Sequence, residues 1–313
     1  MTVVAITGIN SYFAKSVLPK LQQDPEIKKI IGIDINPWTS DYKKVTFFQE
    51  DIRSDNLADL LDGVDTVLHL AFIVEEIHDK KKTHDINIGG SRNVFEACAA
   101  ANVKKIIYTS SVAAYGSHPD NPIGITEDHP LVENRDSYYS TDKVAVEKYL
   151  RDFSEQHSEI DVIILRPPII IGPKVTNFVR ENWSKKTALS SKRRAPEIQF
   201  LHEEDLGNAL YLAVKEKIKG IFNIASDDYS STQRLCEIAD RKVIALSPML
   251  LKFLMNILFF LRLQKASQGW ISLVEYPIIL NNKKFKEATD WQPKYTTEEA
   301  FRDFYRTVKV FQS

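Results

Sequence analysis

Short apolar, β-branched runs alternate with stretches of helical periodicity through the first two hundred residues. Continuous apolar runs are typical of strands covered on both faces, whereas helices show apolar residues at three- and four-residue steps. The pattern predicts strands at Val3–Ile6, Ile30–Asp34, Val45–Gln49, Thr66–Leu70, Lys105–Thr109 and Val162–Leu165, with helices at Tyr12–Gln22, Asn87–Ala101 and Tyr139–Gln156. Because strand and helix alternate, we predict an α/β fold with a doubly wound parallel sheet.

The pattern loosens after Arg166, where prolines interrupt it. Strand-like runs at Ile198–Leu201 and Ile221–Ile224 flank a helix at Glu203–Val214, and the remainder is mostly helical, through Pro248–Leu263 to Glu298–Val310. We predict that residues 1–166 form the sheet domain and that residues 198–224 complete it. Residues 167–197 and 225–313 are then a smaller, mostly helical region.

Composition narrows the class of protein. The 313 residues include 41 basic and 42 acidic side chains, a net charge of −1 that argues against nucleic-acid binding. Cys98 and Cys236 form no CxxC pair, so no disulfide framework is expected and a reducing cytoplasm is the expected compartment. The seven histidines contain no HxH or HxxxH pair, and we expect no metal site.

A glycine turn follows the first predicted strand. The segment Thr7-Gly8-Ile9-Asn10-Ser11-Tyr12-Phe13-Ala14 opens a helix, where backbone N–H groups can meet a pyrophosphate. Ser11 and Ala14 replace the second and third glycines of the usual fingerprint, so the motif alone leaves a plain strand–helix turn open.

Acidic residues at two further strand ends favour a dinucleotide. Asp34 lies 26 positions after Gly8, where a carboxylate can accept hydrogen bonds from the adenosine ribose. Asp51 and Ile52 close the third strand and are expected beside the adenine. No Arg or Lys stands between Asp34 and Lys43, so nothing would neutralise a 2′-phosphate, and NAD is expected rather than NADP. The sheet domain is therefore predicted to bind NAD.

Three further residues form a reactive set. Ser111 follows the fifth predicted strand, and Tyr139 and Lys143 are four residues apart on a predicted helix, hence on one face. A free phenol titrates near ~10, and a neighbouring cation lowers that pKa so that tyrosine can move protons at neutral pH. We predict that Ser111 holds the substrate oxygen while Tyr139 transfers its proton. A YxxxK pair alone is a weak signal, but Ser, Tyr and Lys in this order behind a dinucleotide turn are specific.

These motifs together resemble the extended short-chain dehydrogenase/reductase superfamily, with its epimerase/dehydratase and 3β-hydroxysteroid dehydrogenase-like members. The matching segments are TGINSYFA (7–14), DI (51–52), HLAF (69–72), NIGGSRNVFEAC (87–98), YTSSVAAYG (108–116), YSTDK (139–143), LRPPIIIGP (165–173), FLHEEDLGNAL (200–210) and WQPKYTTEEAFRDF (291–304). The resemblance covers essentially the whole chain.

The resemblance implies a Rossmann domain and assigns roles to residues. Ser111, Tyr139 and Lys143 are then catalytic, and Lys143 also binds the nicotinamide ribose. The remaining implied contacts are Leu70 and Ala71 at the adenosine, Pro167, Pro168 and Ile169 at the nicotinamide, and Asn87 supporting the site from a neighbouring helix.

Two departures from the family pattern bear on the reaction. Family dehydratases carry an Asp-Glu pair after the serine, where this chain has Val112 and Ala113, so dehydration is not expected. Many nucleotide-sugar members carry a phosphate-binding Arg where this chain has Ile198. The basic cluster Lys192-Arg193-Arg194 either compensates or is solvated surface.

Three functions remain open. The leading hypothesis is an NAD-dependent oxidoreductase that interconverts a secondary alcohol and a ketone. The alternative is a nucleotide-sugar epimerase, which uses the same triad for a transient oxidation. The third is a non-catalytic dinucleotide sensor, which would not need the proton relay of Ser111, Tyr139 and Lys143. The sequence does not name the small-molecule substrate.

The apolar stretch Pro248–Leu263 is too short for a spanning helix. It predicts a core helix, a lid over an apolar pocket or a helix resting on a membrane surface, so peripheral membrane contact stays open. Together with Ile198, it favours a lipophilic alcohol over a sugar nucleotide. The helices Asn87–Ala101 and Tyr139–Gln156 carry apolar side chains beyond what one sheet face covers, from which we predict a homodimer.

Overall fold

A computed structural model describes residues 1–74, 79–191, 196–261, 269 and 272–310. Its strands are β1 (Thr2–Thr7), β2 (Ile27–Asp34), β3 (Val45–Gln49), β4 (Thr66–His69), β5 (Lys105–Thr109), β6 (Ile123–Ile125), β7 (Asp161–Arg166), β8 (Ile169–Ile171), β9 (Thr187–Ser191), β10 (Glu197–Ile198), β11 (Phe200–His202), β12 (Gly220–Asn223), β13 (Ser230–Ser231), β14 (Lys242–Leu246) and β15 (Ile279–Leu280).

The helices lie between the strands in chain order. They are α1 (Tyr12–Gln23), α2 (Leu57–Leu60), α3 (Lys80–His84), α4 (Gly90–Ala100), α5 (Tyr138–Gln156), α6 (Phe178–Trp183), α7 (Glu203–Lys215), α8 (Thr232–Ile238), α9 (Pro248–Phe260), α10 (Lys283–Thr289) and α11 (Thr297–Val310). A π-helical turn at Asp85–Gly89 joins α3 to α4, and a 3₁₀ turn at Val112–Ala114 follows β5.

A seven-stranded sheet in the order β12-β7-β5-β4-β1-β2-β3 forms the centre of the molecule. All of its neighbouring strands are parallel. The chain runs outward in one direction from β1 to β3 and in the other from β4 to β12, so the strand order reverses between β1 and β4. Ligands of such sheets bind at the carboxyl ends of the strands at that reversal. The predicted doubly wound α/β fold is confirmed.

Helices cover both faces of the sheet. On one face, Leu18 of α1 and Leu210 of α7 pack in the same buried cluster as Ile6 of β1. On the other, Phe95 of α4 and Leu150 of α5 pack with strand residues such as Ile106. The apolar side chains of α4 and α5 named here are thus buried within one chain, and the homodimer predicted from these two helices stays a prediction.

The C-terminal region is built differently, from four two-stranded sheets that pair β10 with β13, β11 with β8, β14 with β9 and β15 with β6. The strand predicted at Ile198–Leu201 is split, and both parts lie outside the large sheet, contrary to the prediction. The break is at buried Gln199, whose amide donates to Ser226 O at 2.8 Å and accepts from the Leu280 amide at 2.8 Å. Its side chain bonds to the backbone of two neighbouring segments at the point where the strand divides. The strand predicted at Ile221–Ile224 is confirmed as β12 of the large sheet.

Candidate active site

The turn between β1 and α1 brings the chain close to the end of β4. Gly8 has φ +71°, and a Cβ at this position would stand 2.7 Å from Cα of Ala71, so only glycine fits. Ser11 caps α1, with its Oγ accepting from the Ala14 amide at 3.1 Å. The turn therefore presents glycine backbone and a helix N-terminus together, which suits a pyrophosphate.

Asp34 ends β2 beside this turn. Its carboxylate accepts from the backbone amides of Asn10 and Asn36, each at 3.0 Å. Asn10 and Asp34, both predicted cofactor residues, are thus brought together at the carboxyl ends of β1 and β2, where an adenosine ribose would lie. These features fit NAD. The preference over NADP stays a prediction.

The other predicted adenosine residues differ in their surroundings. Asp51 is paired with Arg53 at 2.6 Å, which lowers the pKa of its carboxyl, and Arg53 also binds Asp85. Ile52 is buried, and a Cβ on Gly90 would be 2.6 Å from its Cδ1. Leu70 is buried, and Ala71 lies against Gly8 as described.

The two aromatic residues after Ser11, Tyr12 and Phe13, have side chains that pack within the protein. The Tyr12 hydroxyl donates to the Glu203 carboxylate at the start of α7, and burial raises the pKa of Tyr12 far above its usual range. Phe13 packs with its ring centroid 6.3 Å from that of Tyr12. Their side chains tie α1 to the core, so contact with a cofactor would come from their backbone.

Ser111 and Tyr139 meet at the carboxyl end of β5. Ser111 is buried and caps the 3₁₀ turn through its Oγ, which accepts from the Ala113 amide at 3.1 Å. Its side chain also hydrogen-bonds to the Tyr139 phenol. Burial raises the pKa of Tyr139, and the bond to Ser111 lowers it, with burial the larger effect. The predicted pair is assembled, with the phenol in its neutral form.

Lys143 is buried one helical turn after Tyr139. Its Nζ donates to Thr109 O at 2.7 Å and to the Tyr108 hydroxyl at 3.3 Å. It lies 3.6 Å from the centroid of the Phe72 ring and 5.8 Å from that of Tyr139. Burial lowers the pKa of Lys143 to about 7. At neutral pH its amine is therefore only partly protonated, and it contacts Thr109 and Tyr108 rather than the phenol oxygen.

Asn87 connects three elements. It is fully buried in the π-helical turn, its Oδ1 accepts from the Ile73 amide at 2.8 Å, and its Nδ2 donates to Asp142 Oδ2 at 3.0 Å. The other Asp142 oxygen binds Nδ1 of His84, and burial raises the pKa of Asp142. The supporting role implied for Asn87 thus has a structural counterpart, and it acts through Asp142, the residue before Lys143.

A second buried charge lies further along α5. Arg166 at the end of β7 and Glu147 are both almost fully buried and form a bidentate pair. Arg166 also donates to the Tyr115 hydroxyl at 2.6 Å. This pair locks the helix of Tyr139 and Lys143 to the sheet. Sequence reasoning missed it, although Glu147 follows Lys143 at the same four-residue step that links Lys143 to Tyr139.

An open cleft of about 480 Å³ adjoins the start of α5. It is lined by Ser117, His118, Val132, Glu133, Asn134, Arg135, Asp136, Ser272 and Glu275. The Asn134 amide donates to Ser140 Oγ at 2.9 Å, next to Tyr139. Its size is that of small-molecule sites.

The proline segment after β7 lies on the other side of the serine. Pro167 O accepts from the Val112 amide at 3.0 Å, directly after Ser111, and half-buried Ile169 begins β8. The predicted nicotinamide residues Pro167, Pro168 and Ile169 therefore lie in the segment that contacts the residue after Ser111. The cluster Lys192-Arg193-Arg194 lies outside the described residues. In the part of the chain that is described, no group of three His, Cys, Asp or Glu could hold a metal ion.

The family model of the NAD-dependent epimerase/dehydratase family matches residues 4–225. The chain belongs to this family. The match spans the large sheet from β1 to β12, and it confirms the resemblance drawn from the motifs, the NAD cofactor and the enzymatic class.

The chain is similar to curated proteins and to solved structures. An uncharacterised protein of Mycobacterium tuberculosis is 26% identical over 316 residues, covering 97% of this chain and 83% of its own length. The N-acetyl-α-D-glucosaminyl-diphospho-ditrans,octacis-undecaprenol 4-epimerase of Escherichia coli is 34% identical over 151 residues, 45% of this chain and 44% of that protein. The structure of the UDP-glucuronic acid 4-epimerase of Bacillus cereus, solved with UDP-glucuronic acid and NAD, is similar with a TM-score of 0.79. The two sequences are 16% identical, and the similarity covers 99% of this chain and 100% of the epimerase chain.

Proposed function

We propose that the protein is an NAD-dependent sugar epimerase that inverts the hydroxyl-bearing C4 of a sugar held through a diphosphate. The contact between buried Ser111 and half-buried Tyr139, one helical turn from Lys143, carries the proposal. Family membership and the two named 4-epimerases support it over the alcohol–ketone oxidoreductase favoured in the sequence analysis. The lipophilic alcohol is accordingly replaced by a sugar as the preferred substrate.

Tyr139 is the proton carrier in this proposal. Its phenol, hydrogen-bonded to Ser111, first gives up its own proton. The resulting phenolate takes the proton of the sugar hydroxyl as the carbon is oxidised, and the phenol returns that proton when the carbon is reduced. Ser111 keeps the reacting oxygen within reach of the phenol. The Gly8 turn and Asp34 would hold NAD, which would supply the hydride acceptor and donor for this carbon.

Lys143 completes the proton path. Burial lowers its pKa to about 7, so a small gain of negative charge nearby is enough to protonate it. Loss of the phenol proton leaves the Tyr139 phenolate, the Lys143 amine takes up the proton that is released, and the resulting ammonium stabilises the phenolate. Asp142, held by Asn87 at 3.0 Å, keeps a carboxyl group beside this helix face.

The residues after Ser111 argue against a dehydratase. Val112 and Ala113 stand where family dehydratases place an acid and a base, and neither can transfer a proton. Ala113 is buried and Val112 is half-buried, and proton transfer is therefore assigned to Ser111, Tyr139 and Lys143.

The decisive experiment supplies NAD in amounts far below those of substrate. UDP-glucose, UDP-N-acetylglucosamine and a polyprenyl-diphospho-N-acetylglucosamine are incubated separately, and the 4-epimer is measured by NMR. We expect many turnovers per NAD with no net change in nicotinamide absorbance. The soluble and lipid arms distinguish the two carriers of the diphosphate. Reduced nicotinamide accumulating in step with a keto product would overturn the epimerase assignment in favour of an oxidoreductase.

A further inference from the structure

Helix α9 has two apolar faces, and only one of them is covered. Leu251 is buried and Leu254 and Leu258 are half-buried, at helical steps that place them on one side. Met249, Phe253 and Phe260 lie on the other side and are 84%, 61% and 81% exposed. Leu250, Ile257 and Leu261 widen the same exposed stripe.

The strand that leads into α9 also exposes apolar side chains. Val243 and Ile244 of β14 are both about half exposed, and β14 pairs only with β9 among the described strands. The exposed stripe of α9 is called the α9 surface below. Exposed apolar surfaces of this kind mark sites where a protein meets something else.

The sequence that contains β14 and α9 is basic. Residues 241–274 hold five of the 41 basic residues and none of the 42 acidic ones, and they are bordered by Asp240 and Glu275. Arg241 is buried against Trp183, but Lys185, Lys186 and Lys242 are exposed. A net charge of −1 for the whole chain makes this local excess a strong asymmetry.

We infer that the α9 surface docks on a lipid bilayer that carries anionic headgroups. Aromatic and aliphatic side chains, with exposed lysines just before β9 and at the start of β14, fit the boundary between acyl chains and phosphate groups, where the apolar side enters and the basic groups stay at the headgroups. Another protein or a second copy would need complementary acidic and apolar groups, whereas an anionic bilayer offers both kinds of contact at once. Docking does not depend on the reaction proposed above.

The chain after α9 returns to the open cleft beside the start of α5. Ser272 Oγ donates to the Asp136 carboxylate, and a Cβ on Gly269 would stand 2.6 Å from Asp136 O. Asp136 precedes Ser137, the residue that caps the helix of Tyr139. A bilayer held at the α9 surface would therefore lie within a short segment of chain from the cleft.

The test is co-sedimentation of the full chain with phosphatidylcholine vesicles, with and without phosphatidylglycerol. We expect binding to the anionic vesicles, at least about tenfold weaker binding to the neutral ones, and release by high salt. Phe253→Asp should weaken binding about tenfold or more, whereas Ile123→Asp, at a 53% exposed isoleucine of β6, should not. Lys185→Glu with Lys186→Glu should weaken binding, and the matched pair Lys28→Glu with Lys29→Glu should not.

Three outcomes would overturn the inference. They are failure of the wild-type protein to bind anionic vesicles at low salt, equal loss in the Phe253 and Ile123 variants, and a wild-type dimer in sedimentation that Phe253→Asp converts to a monomer without any vesicle binding. The last would assign the surface to contact between copies. NAD affinity and the thermal midpoint of each variant report folding separately from docking.

Discussion

Helices α5 and α9 invert the usual distribution of polar and apolar side chains in different ways. Helix α5 buries Asp142, Lys143 and Glu147, whereas α9 exposes Met249, Phe253 and Phe260. Burying a charge costs free energy unless it is paired, and exposing a large apolar surface forgoes burial. We interpret both departures as signs of a function beyond folding. The first holds reactive groups in place, and the second leaves a surface for something outside the chain.

The largest expected effect concerns the phenol on α5. Tyr139→Phe should lower epimerase turnover by about 10³-fold, because it removes the proton carrier, while NAD affinity changes little. Lys143→Ala should lose both turnover and NAD affinity. The matched control is Tyr138→Phe, whose hydroxyl donates to Val74 O at 2.5 Å and carries no proton in the proposed reaction. Turnover near the wild-type value in Tyr139→Phe would contradict the catalytic assignment.

The next effect compares a buried charge pair with an exposed one. Glu147→Gln should lower the free energy of unfolding by about 3–5 kcal/mol, because it leaves Arg166 buried without its carboxylate partner. Glu298→Gln removes the partner of Arg234, a half-exposed pair at 3.3 Å, and should cost less than about 1 kcal/mol. Urea unfolding of the two variants measures the contrast. Equal losses in the free energy of unfolding would show that burial does not increase the contribution of the Glu147–Arg166 pair to stability.

A smaller effect is a dependence of stability on pH. Burial lowers the folded-state pKa of Lys143 to about 7 from 10.5, so between these values the unfolded chain binds more protons and stability rises with pH. We expect the wild-type protein without NAD to gain about 2 kcal/mol between pH 7 and pH 9 from this group. Lys143→Met should remove that gain, as read from urea unfolding at both pH values. A wild-type slope that survives in Lys143→Met would place its origin elsewhere.

The smallest effect is expected on the exposed face of α9. Phe253→Ser should change the free energy of unfolding by less than about 0.5 kcal/mol, because the side chain has little to lose. Leu251→Ala, on the buried face of the same helix, should cost about 2–3 kcal/mol. A large loss in Phe253→Ser would mean that this face is covered by the protein itself, and it would sharpen the search for what covers it.

The sequence predicts the α5 half of this comparison better than the α9 half. The alternation of strand and helix gave the large sheet, and Tyr139, Lys143 and Ser111 follow from spacing and strand ends, because regular elements translate sequence distance into position. Asp142 and Glu147 were missed since their partners, His84, Asn87 and Arg166, are remote in sequence. The split at Gln199 depends on bonds to Ser226 and Leu280, which no local pattern reveals.

The periodicity of α9 was correctly assigned to a helix, but its environment was not. An apolar stripe has the same sequence pattern whether protein or another phase covers it, so the core, lid and membrane hypotheses could not be separated. Exposure of Met249 and Phe260 decides against a helix buried on all sides. No helix among the described residues has the length and apolarity to cross a membrane.

The pairing of Glu147 with Arg166 also constrains how this enzyme can be re-engineered. Changing either residue alone strands a charge in the interior, while replacing both by apolar side chains of similar volume removes the penalty. A library that randomises one position at a time will therefore recover little besides the starting residue. Randomising the two together, with Tyr115 as a third position because its hydroxyl contacts Arg166, opens combinations that no sequence of single steps would reach.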